Sequence, residues 1–169
     1  FYTVLGLLTA LRVARYPGRV LADLRDHGRS VGFFTVVAGT CVLGSQSEIV
    51  GGMPRVALVL FGLGAALLVL TTYTIFTLLV VQPRKPALAE GLSGAWLLAV
   101  VAAQSVVVLG AQLAPRFGET APILLFVCTA LWLAGGMLYL WIISLIFYRY
   151  LFVAMEPEQL TPPYWINMG

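Results

Sequence analysis

The charged residues of this chain lie in short islands, and the apolar stretches between the islands are long enough to cross a lipid bilayer. A bilayer core is crossed by about 20 helical residues at roughly 1.5 Å each. A soluble fold of this size would need a polar surface, yet only 10% of the residues are charged and 60% are hydrophobic. The pattern predicts an all-α fold, a polytopic transmembrane helix bundle.

The limits of the apolar segments follow from their length and from prolines. Residues 1–12 are too short to span a bilayer, so we expect them to be part of an incomplete segment. Pro54 and Pro122 suit the first turn of a helix. Pro83 and Pro86 prevent the segment before them from continuing. Complete segments are therefore expected at about 31–47, 56–81, 92–113 and 122–148.

Lysine and arginine are unevenly distributed between alternate loops. The odd loops hold eight of them: Arg12, Arg15, Arg19, Arg25, Arg29, Arg84, Lys85 and Arg149. The even loops hold only Arg55 and Arg116. Cytoplasmic loops carry an excess of Lys and Arg, so the odd loops are predicted to face the cytoplasm. This bias also explains the pI of about 9.1, and no basic groove with interleaved aromatics is present, so nucleic acid is not an expected partner.

Groups that perform catalysis or bind metals are sparse. His27 lies in a charged loop, and Cys41 and Cys128 lie alone in different apolar segments. The sequence therefore predicts no catalytic residue, no metal site and no cofactor, and an enzyme is not expected.

Two segments carry stripes of small and polar residues. At 100° per residue, Gly32, Thr35, Gly39 and Gln46 fall within about 60° of one another on the second segment. On the fourth segment, Ser93 and Gln104 are eleven positions apart and nearly eclipsed, with Gln112 about a quarter turn away. Two interpretations compete: close helix packing through small residues, or the wall of an aqueous path.

No Asp, Glu, Lys, Arg or His lies at the centre of any predicted span. If the protein transports a solute, uncharged groups and helix dipoles must select it. An anion fits this requirement, because hydroxyls, amides and helix N-termini can meet it without a fixed cation that would trap it.

Three stretches resemble one known family. They are YPGR at Tyr16 to Arg19, GFFTVVAGTCVLGSQ from Gly32 to Gln46, and LTPPYWINMG from Leu160 to Gly169. Together they resemble the tellurite-resistance/dicarboxylate transporter family, whose relatives include plant slow anion channels and fungal malate transporters. The resemblance covers essentially the whole chain, and PPYWINMG is its most specific part.

The resemblance implies transport of small anions across the cell (plasma) membrane through a central neutral pore. These anions are C4-dicarboxylates such as malate, tellurite, or inorganic anions. Family members resemble ten-helix proteins built from five hairpins, commonly homotrimers, with the odd-numbered helices around each pore. Aligned in this way, the chain covers family helices two to six and the start of helix seven, and its two striped segments become inner helices. The occluding phenylalanine of the family lies on a later helix, so no gate residue is assigned.

Residues 162–169 are expected to begin that further helix. Pro162 and Pro163 can occupy its first turn, where backbone N–H groups have no partner within the helix. Asn167 is then a further candidate for the pore lining. An interfacial loop that uses the same residue types is the alternative.

Arg15, Arg19 and Arg25 are candidates for the cytoplasmic mouth, where they would raise the local anion concentration. Their alternative role is to set topology and contact lipid headgroups. For the whole protein, the alternative to anion transport is an integral-membrane scaffold or assembly subunit that transports nothing. In such a protein the stripes would serve only as packing surfaces.

Overall fold

The structure of the protein is a computed structural model, which describes residues 2–154. Every regular element within these residues is a helix, which confirms the predicted all-α bundle. The expected helix at 162–169 and its Asn167 lie outside the described residues.

The described residues form seven α-helices: α1 (Tyr2–Arg15), α2 (Pro17–Arg25), α3 (Phe34–Ile49), α4 (Pro54–Val81), α5 (Leu88–Gly91), α6 (Leu98–Leu113) and α7 (Ala121–Phe152). Short 3₁₀ turns lead into two of them, Ser30–Phe33 into α3 and Gly94–Leu97 into α6. A third 3₁₀ stretch, Ala114–Thr120, joins α6 to α7.

Proline and glycine set the ends of the long helices. Pro54 lies in the first turn of α4 and Pro122 in the first turn of α7, where a missing N–H costs no helical hydrogen bond. After α4, Gln82 is extended with φ −64° and ψ 123°, the conformation favoured before a proline. Between α6 and α7, Gly118 adopts φ 53° and ψ −124°, which a residue with a side chain rarely adopts.

Three helical runs are long and apolar enough to cross a membrane: Ser30–Ile49, Pro54–Val81 and Gly94–Phe152. The third run has 59 residues, about twice what one crossing needs. It contains both α6 and α7, and the chain reverses between them at Gly118. The described residues therefore supply four segments that can cross a bilayer, while α1 has only 14 residues.

The two hairpins α3–α4 and α6–α7 pack side by side, with α3 and α6 parallel and in contact along their length. Small residues allow the helices to approach closely. A Cβ atom added at Gly44 of α3 would lie 2.5 Å from Leu109 on α6, and one added at Gly64 of α4 would overlap Cys41 on α3. Gly110 likewise faces Cys128 across α6 and α7.

The inner pair α3 and α6 is shorter and more buried than the outer pair α4 and α7. Each inner helix has 16 residues, or about 24 Å at 1.5 Å per residue. The outer helices have 28 and 32 residues and expose long apolar faces, including Val59, Val69 and Phe126. In a membrane protein such faces contact lipid or other helices.

One end of the bundle carries most of the basic residues and is called here the basic end. It comprises the end of α1, helix α2, residues 82–97 and the end of α7. Arg149 near the end of α7 is buried and donates a hydrogen bond to the carbonyl of Leu92 before α6. The other end, with residues 46–56 and 112–120, is called the opposite end.

Candidate functional site

A groove runs between the parallel helices α3 and α6 on the side away from α4 and α7, and is called here the α3–α6 groove. Its volume is about 500 Å³. Its polar lining consists of Ser45, Gln46, Gln104, Ser105 and Gln112. Its apolar lining consists of Val42, Ile49, Val100, Val101 and Val108. No charged residue of the described chain lines it.

Helix α3 presents its predicted stripe away from its packing partners. Thr35, Gly39 and Gln46 of α3 are all exposed, and so is Gly32 in the 3₁₀ turn that leads into it. The opposite side of the helix is buried, with Val37 and Cys41 nearly inaccessible. The stripe therefore forms one continuous open face within the described part of the protein, and its Gln46 belongs to the α3–α6 groove.

The glycines of α3 separate the two interpretations of the stripe. A Cβ atom added at Gly32 or Gly39 would meet no other atom within 4 Å, so neither glycine admits a neighbouring helix of the described chain. Gly44, outside the stripe, is packed against Leu109 and Leu60. Close packing thus explains Gly44 but not Gly32 or Gly39.

Gln46 and Gln112 are both located in the half of the groove nearer the opposite end. Among the described residues, the Gln46 side chain makes no hydrogen bond, and the buried Oε1 atom of Gln112 has no partner either. A primary amide offers two N–H donors and one acceptor oxygen. The exposed Gln46 side chain can therefore bind water or a polar solute in the groove, whereas the Oε1 atom of Gln112 is enclosed by protein atoms.

Gln104 has two roles because it lies at the border of the groove. Its Nε2 atom donates a hydrogen bond to the backbone carbonyl of Trp132 on α7, at 3.2 Å, and its side chain packs on Gly135. One N–H group therefore joins α6 to α7. The second N–H group and the amide carbonyl are left for the groove.

The hydroxyl groups near the groove differ in what they can donate. Thr35 Oγ1 donates to the carbonyl of Gly32 at 2.6 Å, and Ser105 Oγ donates to Val101 at 2.7 Å. A hydroxyl has a single proton, so these two can only accept further hydrogen bonds. Ser45 makes no such bond within the described chain and keeps its proton available.

Ser45 and Ser105 were not among the residues selected from the sequence. Each of them directly precedes or follows a selected glutamine in the chain. A wider stripe on both helices would have included them. Ser93, which was selected, is half-buried, lies just before the 3₁₀ turn Gly94–Leu97 at the basic end, and does not line the groove.

Arginines surround the start of α3. The arginines predicted from the sequence to lie at the cytoplasmic mouth are not the ones that lie next to the stripe. A pocket at the basic end, also about 500 Å³, is lined by Gly32 together with Arg12 and Arg29. Both arginines form ion pairs with Asp23, the one from Arg29 at 3.1 Å. Neither arginine is among the mouth candidates predicted from the sequence, although Arg29 lies only three residues before Gly32.

The selected arginines Arg15, Arg19 and Arg25 are exposed on α1 and α2 and do not line that pocket. Arg19 lies over the ring of Tyr16, 5.1 Å from its centroid. These three side chains contribute positive charge to the basic end without a direct contact to the stripe.

An ion pair lies at the opposite end of α3. Arg116 donates to Glu48 Oε1 from Nε at 2.8 Å and from its terminal nitrogen at 2.6 Å. The pair joins the end of α3 to the connection between α6 and α7. Each charge offsets the other, so this end of the groove has little net charge.

The described residues contain no group of three or more His, Cys, Asp or Glu side chains that could hold a metal ion. The chemistry of the groove is therefore that of uncharged donors and acceptors beside water. Such a surface can solvate an ion as it passes, and it offers no nucleophile paired with a base.

Comparison with known families gives a match over the whole chain. The model of the SLAC1 family, described as voltage-dependent anion channel, matches residues 1–169. No curated protein and no solved structure matches the chain significantly.

Proposed function

Because the chain belongs to the SLAC1 (voltage-dependent anion channel) family, we propose that it moves small anions across a membrane along the open face of α3 and the α3–α6 groove. Membership of this family supports anion transport in general, and the family consists of channels and transporters rather than enzymes. It also confirms the resemblance found in the sequence.

The observation that carries the proposal is the convergence of three glutamines on one uncharged groove. Gln46, Gln104 and Gln112 come from two helices, and all three line it. Amide N–H groups attract an anion through their dipoles, and they bind it less strongly than a guanidinium would. Weak binding at several neighbouring positions is what conduction requires.

The open glycines support the same pathway along α3. Gly32 and Gly39 leave space beside the helix backbone, so water or a hydrated anion can approach the helix there. Thr35 lies between them and offers its hydroxyl oxygen to water. We therefore retain these three residues, with Ser93 and Asn167, as further candidates for the pathway wall.

Positive charge at the basic end would concentrate anions before they enter. Arg12 and Arg29 lie beside Gly32, and Arg15, Arg19 and Arg25 are on the neighbouring surface. Clefts of one charge sign raise the local concentration of the opposite ion. The alternative role of Arg15, Arg19 and Arg25 is to set the membrane topology and to contact lipid headgroups.

The transported anion belongs to one of three classes: C4-dicarboxylates such as malate, tellurite, or inorganic anions such as chloride and nitrate. By resemblance we also propose a homotrimer in the cell (plasma) membrane. A groove without fixed cations favours singly charged anions, because the cost of removing water from an ion rises steeply with its charge.

The test is flux of chloride, nitrate and malate through the complete protein in liposomes. We expect uptake of at least one of them, and we expect Gln46→Leu together with Gln112→Leu to reduce it. Val59→Leu on the lipid-facing side of α4 is the control and should leave flux unchanged. Equal flux through the double variant and the control would exclude the groove from the pathway.

A non-transporting scaffold is the second candidate. One observation favours it: the hydrogen bond from Gln104 to Trp132, in which a polar residue of the stripe joins two helices. A scaffold would give no anion-dependent uptake for any of the three anions. Uptake that depends on the groove residues would exclude it.

A further inference from the structure

The outer helices α4 and α7 both pack on α6 but scarcely touch each other, and an open space separates them. Small residues of α6 form its floor, Ala99 and Ala103. Two cavities in this space share Phe76 and Leu138 and therefore form one continuous feature. We call it the lateral cleft. It lies on the side of α6 away from the α3–α6 groove.

The inner part of the lateral cleft is almost purely apolar. It has a volume of about 390 Å³. Its walls include Leu68, Val69 and Tyr73 from α4 and Leu131 and Ala134 from α7. Nothing in it can hold an ion, whereas a hydrocarbon chain would fit without leaving a polar group unpaired.

The outer part of the lateral cleft differs in chemistry. It has a volume of about 400 Å³ and opens at the basic end. Its lining includes His27 and Lys85, together with the indole rings of Trp96 and Trp141. Tryptophan is the side chain that membrane proteins place at the headgroup level, and lysine there attracts anionic lipid.

The length of the lateral cleft fits one leaflet. From Leu68 to the end of α4 at Val81 the helix advances 13 positions, or about 20 Å at 1.5 Å per residue, and Lys85 lies four residues beyond. Half of a bilayer core is about 15 Å, and the headgroup layer adds several ångströms. The feature therefore begins near the bilayer centre and ends at one surface.

We propose that the lateral cleft binds one anionic phospholipid of the leaflet at the basic end. An acyl chain lies between α4 and α7 over Ala99 and Ala103, and the phosphate contacts Lys85. The positive charge of Lys85 complements the phosphate, and Trp96 and Trp141 flank the glycerol region. Glu90 is the acidic residue of the adjoining helix α5, and it does not line the cleft.

The proposal does not depend on transport. An anion pathway along α3 would be unaffected by an empty lateral cleft, and a scaffold could bind the same lipid. Lipid binding therefore needs its own experiment.

The experiment measures phospholipid bound to the complete purified protein, by native mass spectrometry with phosphatidylglycerol and phosphatidylcholine of the same chain length. Wild type should retain phosphatidylglycerol in preference. Lys85→Gln should reduce that preference about fivefold, the factor expected for one lysine near an anionic surface. Arg84→Gln removes the same charge from the neighbouring position, which does not line the cleft, and should change it little.

The apolar part is tested by filling it. Ala134→Trp places an indole in the cleft. A helical side chain points toward the N-terminus of its helix, so this indole would lie toward Leu131, occupy the inner part of the cleft, and should release both lipids. Leu133→Trp, exposed on the other side of α7 and outside the lining of both cavities, should retain them. Thermal unfolding of the four variants checks that each is folded.

Three results would overturn the proposal. The first is unchanged lipid retention in both Lys85→Gln and Ala134→Trp. The second is full competition by inorganic phosphate, which would mean that a phosphate site exists without an acyl-chain site. The third is a changed oligomeric state in Ala134→Trp with no lipid bound to wild type, which would mean that a second copy of the chain covers the cleft.

Discussion

The two faces of α3 carry the same residue type in opposite environments. On the packed face, Gly44 lies against Leu109 and Leu60, and a side chain there has no room. On the open face, Gly32 and Gly39 meet nothing within 4 Å. Glycine in a membrane helix is usually explained by close packing, which here applies to one face only. Within the described residues, close packing accounts for Gly44 and not for Gly32 or Gly39, and we propose that the open face serves the passage of anions.

Gly44→Leu should have the largest effect, because it breaks the packed face. A Cβ atom added at this position would lie 2.5 Å from Leu109. Overpacking of this kind lowers the free energy of unfolding by about 1–3 kcal/mol or more. We expect a lower unfolding temperature of the complete protein in detergent. The control is Gly39→Leu, with the same chemical change on the open face. Equal unfolding temperatures for the two variants would contradict the distinction between the faces.

Gly39→Leu should affect flux instead of stability. The side chain enters open space, and replacing glycine in a helix removes an entropic cost of up to about 1 kcal/mol. The same side chain obstructs the proposed path, so we expect anion flux to fall on the order of tenfold, which corresponds to about 1.4 kcal/mol. Liposome uptake at matched protein density measures it. Normal flux would leave the open face without a role in transport.

Gln112→Glu asks whether the groove must stay uncharged. The substitution changes shape very little and adds a carboxylate to a neutral groove, so it should repel anions and lower flux several-fold. Gln112→Met keeps a similar size without charge or strong hydrogen bonding, and it should lower flux less. The ratio of the two fluxes isolates the charge. A ratio near one would exclude electrostatic contact between this position and the anion.

Glu48→Gln should have the smallest effect. Arg116 is half exposed in this ion pair while Glu48 is largely buried, and glutamine keeps an acceptor oxygen for Arg116, so the change should cost on the order of 1 kcal/mol of stability. Arg116 then keeps its positive charge without a carboxylate beside it. At low salt this charge should raise the rate of anion entry by less than twofold, and at high salt screening should remove the increase. Flux at two ionic strengths measures this. A decrease at low salt would show that Arg116 does not face the anions.

Much of the fold could be predicted because it follows from local properties of the chain. Apolar length, together with Pro54 and Pro122, placed the long helices close to their observed limits. The period of 3.6 residues predicted that Gly39 and Gln46 share a face of α3, and that Gly32 in the turn before α3 lies on the same side, without knowledge of the neighbouring helices. Such a face is a property of one helix, and a single sequence can display it.

Other features could not be predicted because they depend on contacts between distant residues. The hydrogen bond from Gln104 is accepted by a backbone carbonyl 28 positions away. Every residue has such a carbonyl, so the type of the accepting residue does not reveal the bond. Arg12, from α1, and Arg29 line one pocket with Gly32, and both of them pair with Asp23 of α2, a contact that depends on how α1 and α2 pack. The lateral cleft exists because α4 and α7 do not pack against each other. The sequence pattern of each helix does not show which of the other helices it leaves uncontacted.

The unequal lengths of the inner and outer helices have an electrical consequence for any ion that passes beside α3 and α6. Outer helices of 28 and 32 residues reach about 42 and 48 Å, nearly twice the length of the inner pair. If water fills the space beyond either end of α3 and α6, it conducts, and the membrane voltage then drops mainly across the short inner stretch. A full drop of 100 mV does about 2.3 kcal/mol of work on one charge. The electric field is the voltage divided by the distance over which it drops. The same voltage therefore gives a stronger field over about 24 Å than it would over a pore as long as the outer helices.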